Sequence, residues 1–252
     1  MVKIYSKGEI SKIAESGKIL AEVLNIIMQE AKIGASLKYL DGLAFKLIKE
    51  AGAEPAFLGY KPDGAQKPYG ATICASINDV IVHGFPGDYK LKNGDILKID
   101  CGVKYQGFYS DSAITIGIGN ISKEAELLIR ITKNALEEAI NIAIVGNHLE
   151  DIGFTINKIV KKAGFKIVKG LVGHGIGLKL HEEPIIYNFG KKGQGLELKA
   201  GMVLAIEPMV SSGSDNIIQK SDESWATADK SLSAHFEHTV AITENRTEIL
   251  TK

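Results

Sequence analysis

The sequence of 252 residues is short of cysteine, of net charge and of long apolar runs. Two cysteines cannot hold a chain of this length together by disulfides, so we expect reduced thiols in a cytoplasmic setting. Thirty basic residues balance thirty acidic ones, which excludes a strongly basic nucleic-acid-binding protein. The start, MVKIYSKGEISK, has no apolar stretch of the kind found in signal peptides, and no later run predicts a membrane-spanning helix.

Apolar residues make up 45% of the chain and charged residues 24%, so we expect a substantial core rather than disorder. Twenty-seven glycines predict many tight turns, which is typical of strand-rich enzymes whose loops carry the chemistry. No linker rich in Pro, Ser and Gly divides the sequence. We therefore expect a single domain over residues 1–252.

The spacing of apolar residues predicts helices in two pairs, each pair followed by strands. The predicted helices cover residues 6–32, 37–51, 122–144 and 149–163. Ser36 stands where an N-cap is expected, and the segment 57–72 is rich in Gly and Pro, which predicts a long loop. We predict an α+β fold of two pseudo-symmetric halves, with helices on one side of an antiparallel sheet.

Two aspartates interrupt neighbouring strand patterns, Asp100 in DILKIDCGVKY and Asp111 in GFYSDSAITIGIG. A tight turn that pairs Lys104 with Gly107 would place the aspartates directly opposite each other, with Cβ atoms about 5 Å apart. Two like charges on a buried face require a cation between them. The alternative is that both carboxylates face solvent.

Two glutamates interrupt later strand patterns, Glu207 in GMVLAIEPMV and Glu237 in AHFEHTVAIT. A single glutamate in a strand is most often an edge residue that faces water. Four acidic residues within apolar strands make that explanation a weak one for the whole set. We predict that they form one site.

Among the histidines, His174 lies between glycines in GLVGHGIGLKLHEEP, where the backbone can approach a metal or ligand closely. His181 and His83 are interpreted either as binding residues or as structural ones. The remaining histidines are interpreted as structural: His148, His235 and His238. Strand alternation turns His238 to the face opposite Glu237.

Four carboxylates and one imidazole would balance two divalent cations. Such a ligand set suits Mn²⁺, Fe²⁺, Co²⁺ or Zn²⁺ and disfavours copper or iron–sulfur sites. Two metals roughly 3.5–4 Å apart lower the pKa of a water molecule and bind a carbonyl group under attack. The predicted reaction class is metal-assisted hydrolysis.

The strings SINDVIVHG, LKIDCGV, YSDSA, GHGIGLKLHEEP, AIEPMV and SLSAHFEHT resemble those of the type I methionine aminopeptidases, in the family's order and over nearly the whole chain. The resemblance implies the pita-bread fold and a single catalytic domain with a dinuclear site of Co, Mn, Fe or Zn. The activity that it implies is removal of the N-terminal methionine from nascent proteins and peptides whose second residue is small. It further implies a monomer in the cytoplasm that acts on nascent polypeptide N-termini, with the ribosome as a further candidate partner.

By the same resemblance, five residues match metal ligands: Asp100, Asp111, His174, Glu207 and Glu237. Glu207 would also be the general base. His83 matches the histidine at the substrate's amino-terminal end, and His181 the one that donates to the scissile carbonyl. Positions around the methionine side-chain pocket are matched by Tyr60, Cys74 and Trp225.

This sequence departs from the family pattern in two places near the pocket. The loop between Tyr60 and Cys74 is longer, with Tyr69 as a further candidate for the pocket wall, and Leu180 stands where an aromatic residue is frequent. A zinc-finger-bearing amino-terminal extension is also missing from the sequence. Two alternatives stay open: a proline dipeptidase or aminopeptidase P, whose chains usually carry a further amino-terminal domain, and a catalytically inactive relative that binds protein or RNA.

Overall fold

A computed structural model describes residues 2–61 and 64–252, and within them four helices and fifteen strands follow one another. The helices are α1 (Lys7–Glu30), α2 (Leu37–Glu50), α3 (Lys123–Ile142) and α4 (Leu149–Lys162). The strands of the first half are β1 (Glu54–Pro55), β2 (Ile73–Ile77), β3 (Val80–Val82), β4 (Ile96–Tyr105) and β5 (Phe108–Gly117). The remaining strands are β6 (Lys166–Ile167), β7 (Gly173–Gly175), β8 (Glu182–Ile186), β9 (Val203–Ile206), β10 (Met209–Ser211), β11 (Ile217–Gln219), β12 (Trp225–Thr227), β13 (Ser233–His235), β14 (Glu237–Ile242) and β15 (Thr247–Ile249).

The predicted helices are present close to their predicted bounds, because local capping signals agree with the apolar spacing. Helix α1 begins with a capping box, in which the Ser6 side chain accepts from the Glu9 amide and the Glu9 side chain accepts from the Ser6 amide. Ser36 and Ser122 cap α2 and α3 in the same way as N-cap acceptors. Within the part of the chain that the structure describes, the helices are too short or too polar to cross a bilayer.

The strands form one large antiparallel sheet and two small ones. The large sheet runs in the order β1-β4-β5-β14-β9-β7-β8, with β2 also paired to β4 and β15 to β14. The small sheets run β13-β10-β6 and β11-β12-β3. The large sheet therefore joins strands from both halves of the chain, and the junction is the pairing of β5 with β14.

Each helix pair packs its own apolar core against the sheet. The first core combines α1 and α2 with β2 and β4, and residues such as Leu20, Leu40 and Ile99 are fully buried in it. The second combines α3 and α4 with β9 and β14, around residues such as Leu136 and Ile156. This repetition of helix pair and sheet confirms the predicted α+β arrangement in two halves.

The hairpin between β4 and β5 differs from the prediction in its register. Its turn is Gln106–Gly107, both residues have positive φ, and Tyr105 pairs with Phe108. Positive φ at both central residues is the signature of the two-residue type I′ turn, whose twist matches that of the flanking strands. The predicted pairing of Lys104 with Gly107 is therefore wrong.

Candidate active site

Three of the predicted carboxylates project from adjacent strands of the large sheet. Asp100 lies on β4 opposite Ala113, and Asp111 lies on β5 opposite Gly102, so the two aspartates are diagonal neighbours rather than direct partners. A shift of two residues in register keeps both side chains on the same face. Glu237, the first residue of β14, pairs with Ala113, and one oxygen from each carboxylate lies within 4.8 Å of the others.

The second half of the chain adds Glu207 and His174 to this group. Glu207 directly follows β9 rather than lying inside a strand, and His174 is the middle residue of β7, paired with Ala205 of β9. Nε2 of His174 lies 3.6 Å from Oε1 of Glu207. Ligand atoms of His174, Glu207 and Glu237 also lie within 4.8 Å of one another. The structure thus brings together all five residues predicted as metal ligands.

The backbone sets the tautomer of His174. Its Nδ1 lies 2.9 Å from the carbonyl oxygen of Gly175. Because a carbonyl oxygen only accepts hydrogen bonds, Nδ1 must carry the hydrogen, and Nε2 keeps its lone pair. This arrangement leaves Nε2 able to bind a metal ion.

The carboxylates are crowded and poorly compensated within the protein. Burial raises the pKa of Asp100 to about 7, and burial together with the neighbouring carboxylates raises the pKa of Asp111 and Glu237 well above the usual range. Burial also raises the pKa of Glu207 well above that range. One oxygen each of Asp100, Asp111 and Glu237 is buried without a hydrogen-bond partner.

Unpartnered carboxylate oxygens that converge within a few ångströms are costly unless a cation compensates them. The donor set of four carboxylates and a neutral imidazole matches the ligands that Mn²⁺, Fe²⁺, Co²⁺ and Zn²⁺ accept. The residues present therefore fit the two divalent ions predicted from the sequence, without deciding which metal they are.

Two further histidines border the same cleft. The ring of His181 meets that of His174 edge to face at 4.4 Å, and its Nδ1 is 2.8 Å from the hydroxyl of Tyr60. The protein around the cleft lowers the pKa of His181 and of His83 to about 4, because removal of water disfavours the charged imidazolium. Both rings are therefore neutral at pH 7, and each can donate through one nitrogen.

His83 owes its position to an unusual backbone. It directly follows β3 and has φ of 59°, in the left-handed region that non-glycine residues seldom adopt. The next residue, Gly84, is held by a hydrogen bond from its amide to Oγ of Ser76 and by the bond that its carbonyl accepts from the Ala75 amide. A side chain at Gly84 would meet the Ala75 carbonyl oxygen at 2.5 Å. These contacts hold the unusual backbone of His83 at the cleft.

The position of His235 in the site corrects its interpretation as a structural residue. It is 1% exposed, and its Nε2 lies 3.3 Å from Oε2 of Glu207 without hydrogen-bond alignment. The sequence does contain a signal for this position, because strand alternation places His235 on the same face as Glu237 two residues later. His238 does point away, with Nδ1 2.9 Å from the hydroxyl of Thr251.

A cleft of about 1150 Å³ opens onto these groups. The residues predicted for the methionine pocket, Tyr60, Cys74 and Trp225, all line it, as do Tyr69 and Leu180. The Tyr69 hydroxyl is 3.0 Å from the carbonyl oxygens of both Ile73 and Gly84, which ties the long loop to β2. Part of that loop, residues 62 and 63, lies outside the described residues.

A family model described as metallopeptidase family M24 matches residues 11–244. The methionine aminopeptidase of Clostridium perfringens is 48% identical over 255 residues, an alignment that covers 100% of this chain and 99% of the relative. The chain belongs to the methionine aminopeptidases of metallopeptidase family M24. The methionine aminopeptidase of Aquifex aeolicus is likewise 45% identical over 258 residues, with 100% and 99% covered.

Two solved structures share the fold. The crystal structure of methionine aminopeptidase from Thermotoga maritima superposes with a TM-score of 0.95 at 40% identity, covering 100% of both chains. The prolidase from Pyrococcus horikoshii has a TM-score of 0.79 at 23% identity and is covered over 63% of its length. The second likeness concerns the fold alone. Together they confirm the predicted pita-bread fold.

Proposed function

We propose that this M24 peptidase removes the N-terminal methionine from peptides and nascent proteins, using the five clustered ligand residues to hold two divalent metal ions. The observation that carries the proposal is the convergence of unpartnered carboxylate oxygens and the free Nε2 of His174 at one end of an apolar cleft. Full-length relatives named methionine aminopeptidase support the choice of substrate.

Bound divalent ions in such a site act as Lewis acids toward a carbonyl oxygen and make water a better nucleophile. The chain's own groups supply the proton transfers. Glu207 lies between His174 and His235, 3.6 Å from Nε2 of the first and 3.3 Å from Nε2 of the second, so it is placed to take a proton from water and later return it to the leaving amine.

The neutral histidines supply hydrogen bonds where charge develops on the substrate. His181, oriented by the Tyr60 hydroxyl, would donate to the oxygen of the scissile carbonyl as it gains negative charge. His83, which also lines the cleft, would contact the amino-terminal end of the substrate. A free amino terminus held there limits cleavage to the first residue.

The side-chain pocket would set the preference for methionine. Tyr60, Cys74 and Trp225 give the cleft an apolar wall that accepts an unbranched, polarizable side chain. The second substrate residue must pass the crowded ligand group, so only Gly, Ala, Ser and similarly small residues fit. Leu180 in the wall leaves room for leucine or norleucine at the first position.

Three further features belong to this proposal. Residues 1–252 act as one catalytic domain, since strands of both halves share the large sheet and both halves supply ligands. The protein works in the cytoplasm as a monomer. Its substrates are nascent chains, and the ribosome is the candidate partner that presents them.

The test compares peptide cleavage by the metal-stripped and metal-reconstituted protein, read by mass spectrometry. Chelation should abolish cleavage of Met-Ala-Ser, and Mn²⁺, Co²⁺ or Fe²⁺ should restore it. Met-Lys-Ser should be cut hardly at all, and the amino-acetylated Met-Ala-Ser should stay intact.

Three outcomes would overturn parts of the proposal. Full activity of rigorously metal-free protein would refute the metal mechanism. Efficient cleavage of Xaa-Pro peptides that lack methionine would favour the aminopeptidase P alternative, and cleavage of the acetylated peptide would refute anchoring by the free amino terminus.

A further inference from the structure

A lysine is buried on the same strand as Asp100. Lys98, two residues before Asp100 on β4, is 1% exposed and is among the largest fully buried side chains of the described residues. A buried ammonium group is expensive to maintain unless polar partners surround it. The proposed chemistry does not use this group, so its burial requires another explanation.

The partners of Lys98 are backbone and hydroxyl oxygens. Its Nζ donates to the carbonyl oxygen of Asn78 at 2.7 Å, to that of Ser233 at 3.1 Å and to Oγ of Ser233 at 3.3 Å. The side-chain nitrogen of Lys98 therefore has three oxygen acceptors within hydrogen-bond distance. Within residues 2–61 and 64–252, no carboxylate lies within ion-pair distance of Nζ.

The oxygens that accept hydrogen bonds from Lys98 lie at, or just before, the starts of two very short strands. Each of these strands leads to a histidine of the site. Asn78 lies in the turn before β3, and His83 directly follows that strand. Ser233 is the first residue of β13, and His235 is its last. The amide of Ser233 also donates to the Asn78 carbonyl oxygen, so one lysine side chain joins the starts of both strands to β4.

Lys98 is the centre of a row of polar side chains that runs across the sheet. It pairs with Ser76 on β2 and with Thr115 on β5. Ser76 accepts from the amide beside His83, and Thr115 exchanges hydrogen bonds with the backbone of His235. Asp100 lies two residues further along β4, where it pairs with Cys74 of β2.

We propose that Lys98 is a positioning residue of the active site, whose buried side-chain nitrogen ties the starts of β3 and β13 to β4 and thereby places His83 at the cleft and His235 against Glu207. The proposal rests on the proposed peptidase function. Strands of three residues form few backbone hydrogen bonds with neighbouring strands. Their placement therefore depends on side-chain hydrogen bonds such as those of Lys98.

The first test replaces the lysine by an apolar residue of similar length, Lys98→Met. We expect kcat for Met-Ala-Ser to fall roughly 10- to 100-fold, as for a small misplacement of catalytic groups, while cooperative thermal unfolding is kept. KM should change by less than about threefold. Lys104→Met is the matched control, because Lys104 lies on the same strand and forms its ion pair with exposed Glu54.

A second readout does not depend on activity. In protein labelled with ¹⁵N at histidine, Lys98→Met should shift the ring resonances of His83 and His235. It should leave those of His148, which stands at the N-cap position of α4, unchanged. If the wild-type protein cleaves no methionine peptide, the proposed function fails, and these resonances still test the role of Lys98.

A third readout is chemical rescue. Lys98→Ala leaves an internal space lined by oxygens, so ammonium chloride should restore part of kcat in a saturable manner. Tetramethylammonium chloride at the same ionic strength should not, because that cation is too large to enter.

Three results would overturn the proposal. One is a folded Lys98→Met protein with wild-type kcat and unchanged resonances of His83 and His235. Another is a folded Lys98→Ala protein that ammonium does not rescue. If Lys98→Met and the milder Lys98→Gln both lose cooperative unfolding, Lys98 supports the whole fold and the positioning role is rejected.

Discussion

The carboxylates and the histidines of the cleft are held by different kinds of structure. Asp100 and Asp111 lie within the ten-residue strands β4 and β5, and Glu237 begins the six-residue strand β14. His83 and His235, in contrast, stand at the ends of three-residue strands. The register of paired long strands fixes the positions of the carboxylates relative to one another. The positions of the histidines are fixed instead by hydrogen bonds between side chains and the backbone.

This difference distinguishes the carboxylates, which the proposed function assigns to metal binding, from His83 and His235. The carboxylates are placed by many repeated backbone hydrogen bonds, so that part of the site tolerates little change in register. The histidines depend on a few contacts made by Ser76, Lys98 and Thr115. Substitutions in the two groups should therefore differ in both size and kind of effect.

The largest loss is expected where the two groups meet, at Glu207. Glu207→Gln keeps the size of the side chain and removes both its charge and its basicity, so kcat should fall by roughly 10²–10⁴-fold. Steady-state cleavage of Met-Ala-Ser measures this fall in kcat. Glu248→Gln, on β15 and outside the cleft, is the control. A near-normal rate would show that the base lies elsewhere.

A smaller loss of kcat is expected for His181, which borders the cleft. His181→Ala removes the proposed donor to the developing oxyanion, which acts chiefly in the transition state, so kcat should fall about 10²–10³-fold and KM should rise less. His148→Ala, a change at the start of α4, provides the control. If KM alone changed, His181 would be a binding residue rather than a transition-state donor.

His235 should rank next. Its contact with Glu207 at 3.3 Å predicts that His235→Ala lowers activity or metal affinity by about 10- to 100-fold, as for other groups that orient metal ligands. Metal titration by calorimetry and kcat together measure the effect. His238→Ala, whose ring points toward Thr251, is the adjacent control. Equal behaviour of the two variants would restore the structural interpretation of His235.

The smallest effect is expected outside both groups. Ser122→Ala removes the N-cap of α3, where Oγ accepts from the Ala125 amide, and should cost ~1 kcal/mol of unfolding free energy. Tm should fall by a few degrees while kcat stays unchanged. Ser122→Asp, which keeps the acceptor, should retain the wild-type Tm. A change in kcat would show that the helices influence the cleft directly.

The helices and long strands were predictable because local signals determine them. Ser6 with Glu9, Ser36 and Ser122 mark helix starts, and the apolar spacing between them needs no tertiary information. The broken strands were harder to predict. The segment from Thr72 to Gly84 looks like one strand, yet it divides at Asn78, whose φ of 50° and contacts with Ile96 and Asp95 form a turn.

Within the site, the residue types were predictable and their detailed relations were not. Asp100 and Asp111 stand out because a carboxylate in an apolar strand needs a reason, but their register depends on which residues form the turn. Either turn would have put them on one face, and Gln106 gives no sequence signal for the positive φ that it adopts. Lys98 looks like an ordinary strand lysine in the sequence, because its acceptors come from residues distant in the chain.

The grouping of the proposed ligands across the junction of the two halves has a consequence for folding. Asp100 and Asp111 come from the first half, whereas His174, Glu207 and Glu237 come from the second. Neither half alone contains all five proposed ligand residues. Metal binding that uses all five residues therefore requires β5 and β14 to be paired. By thermodynamic linkage, the free energy of metal binding then also opposes separation of the halves, and the loaded protein should unfold as a more cooperative unit than the stripped one.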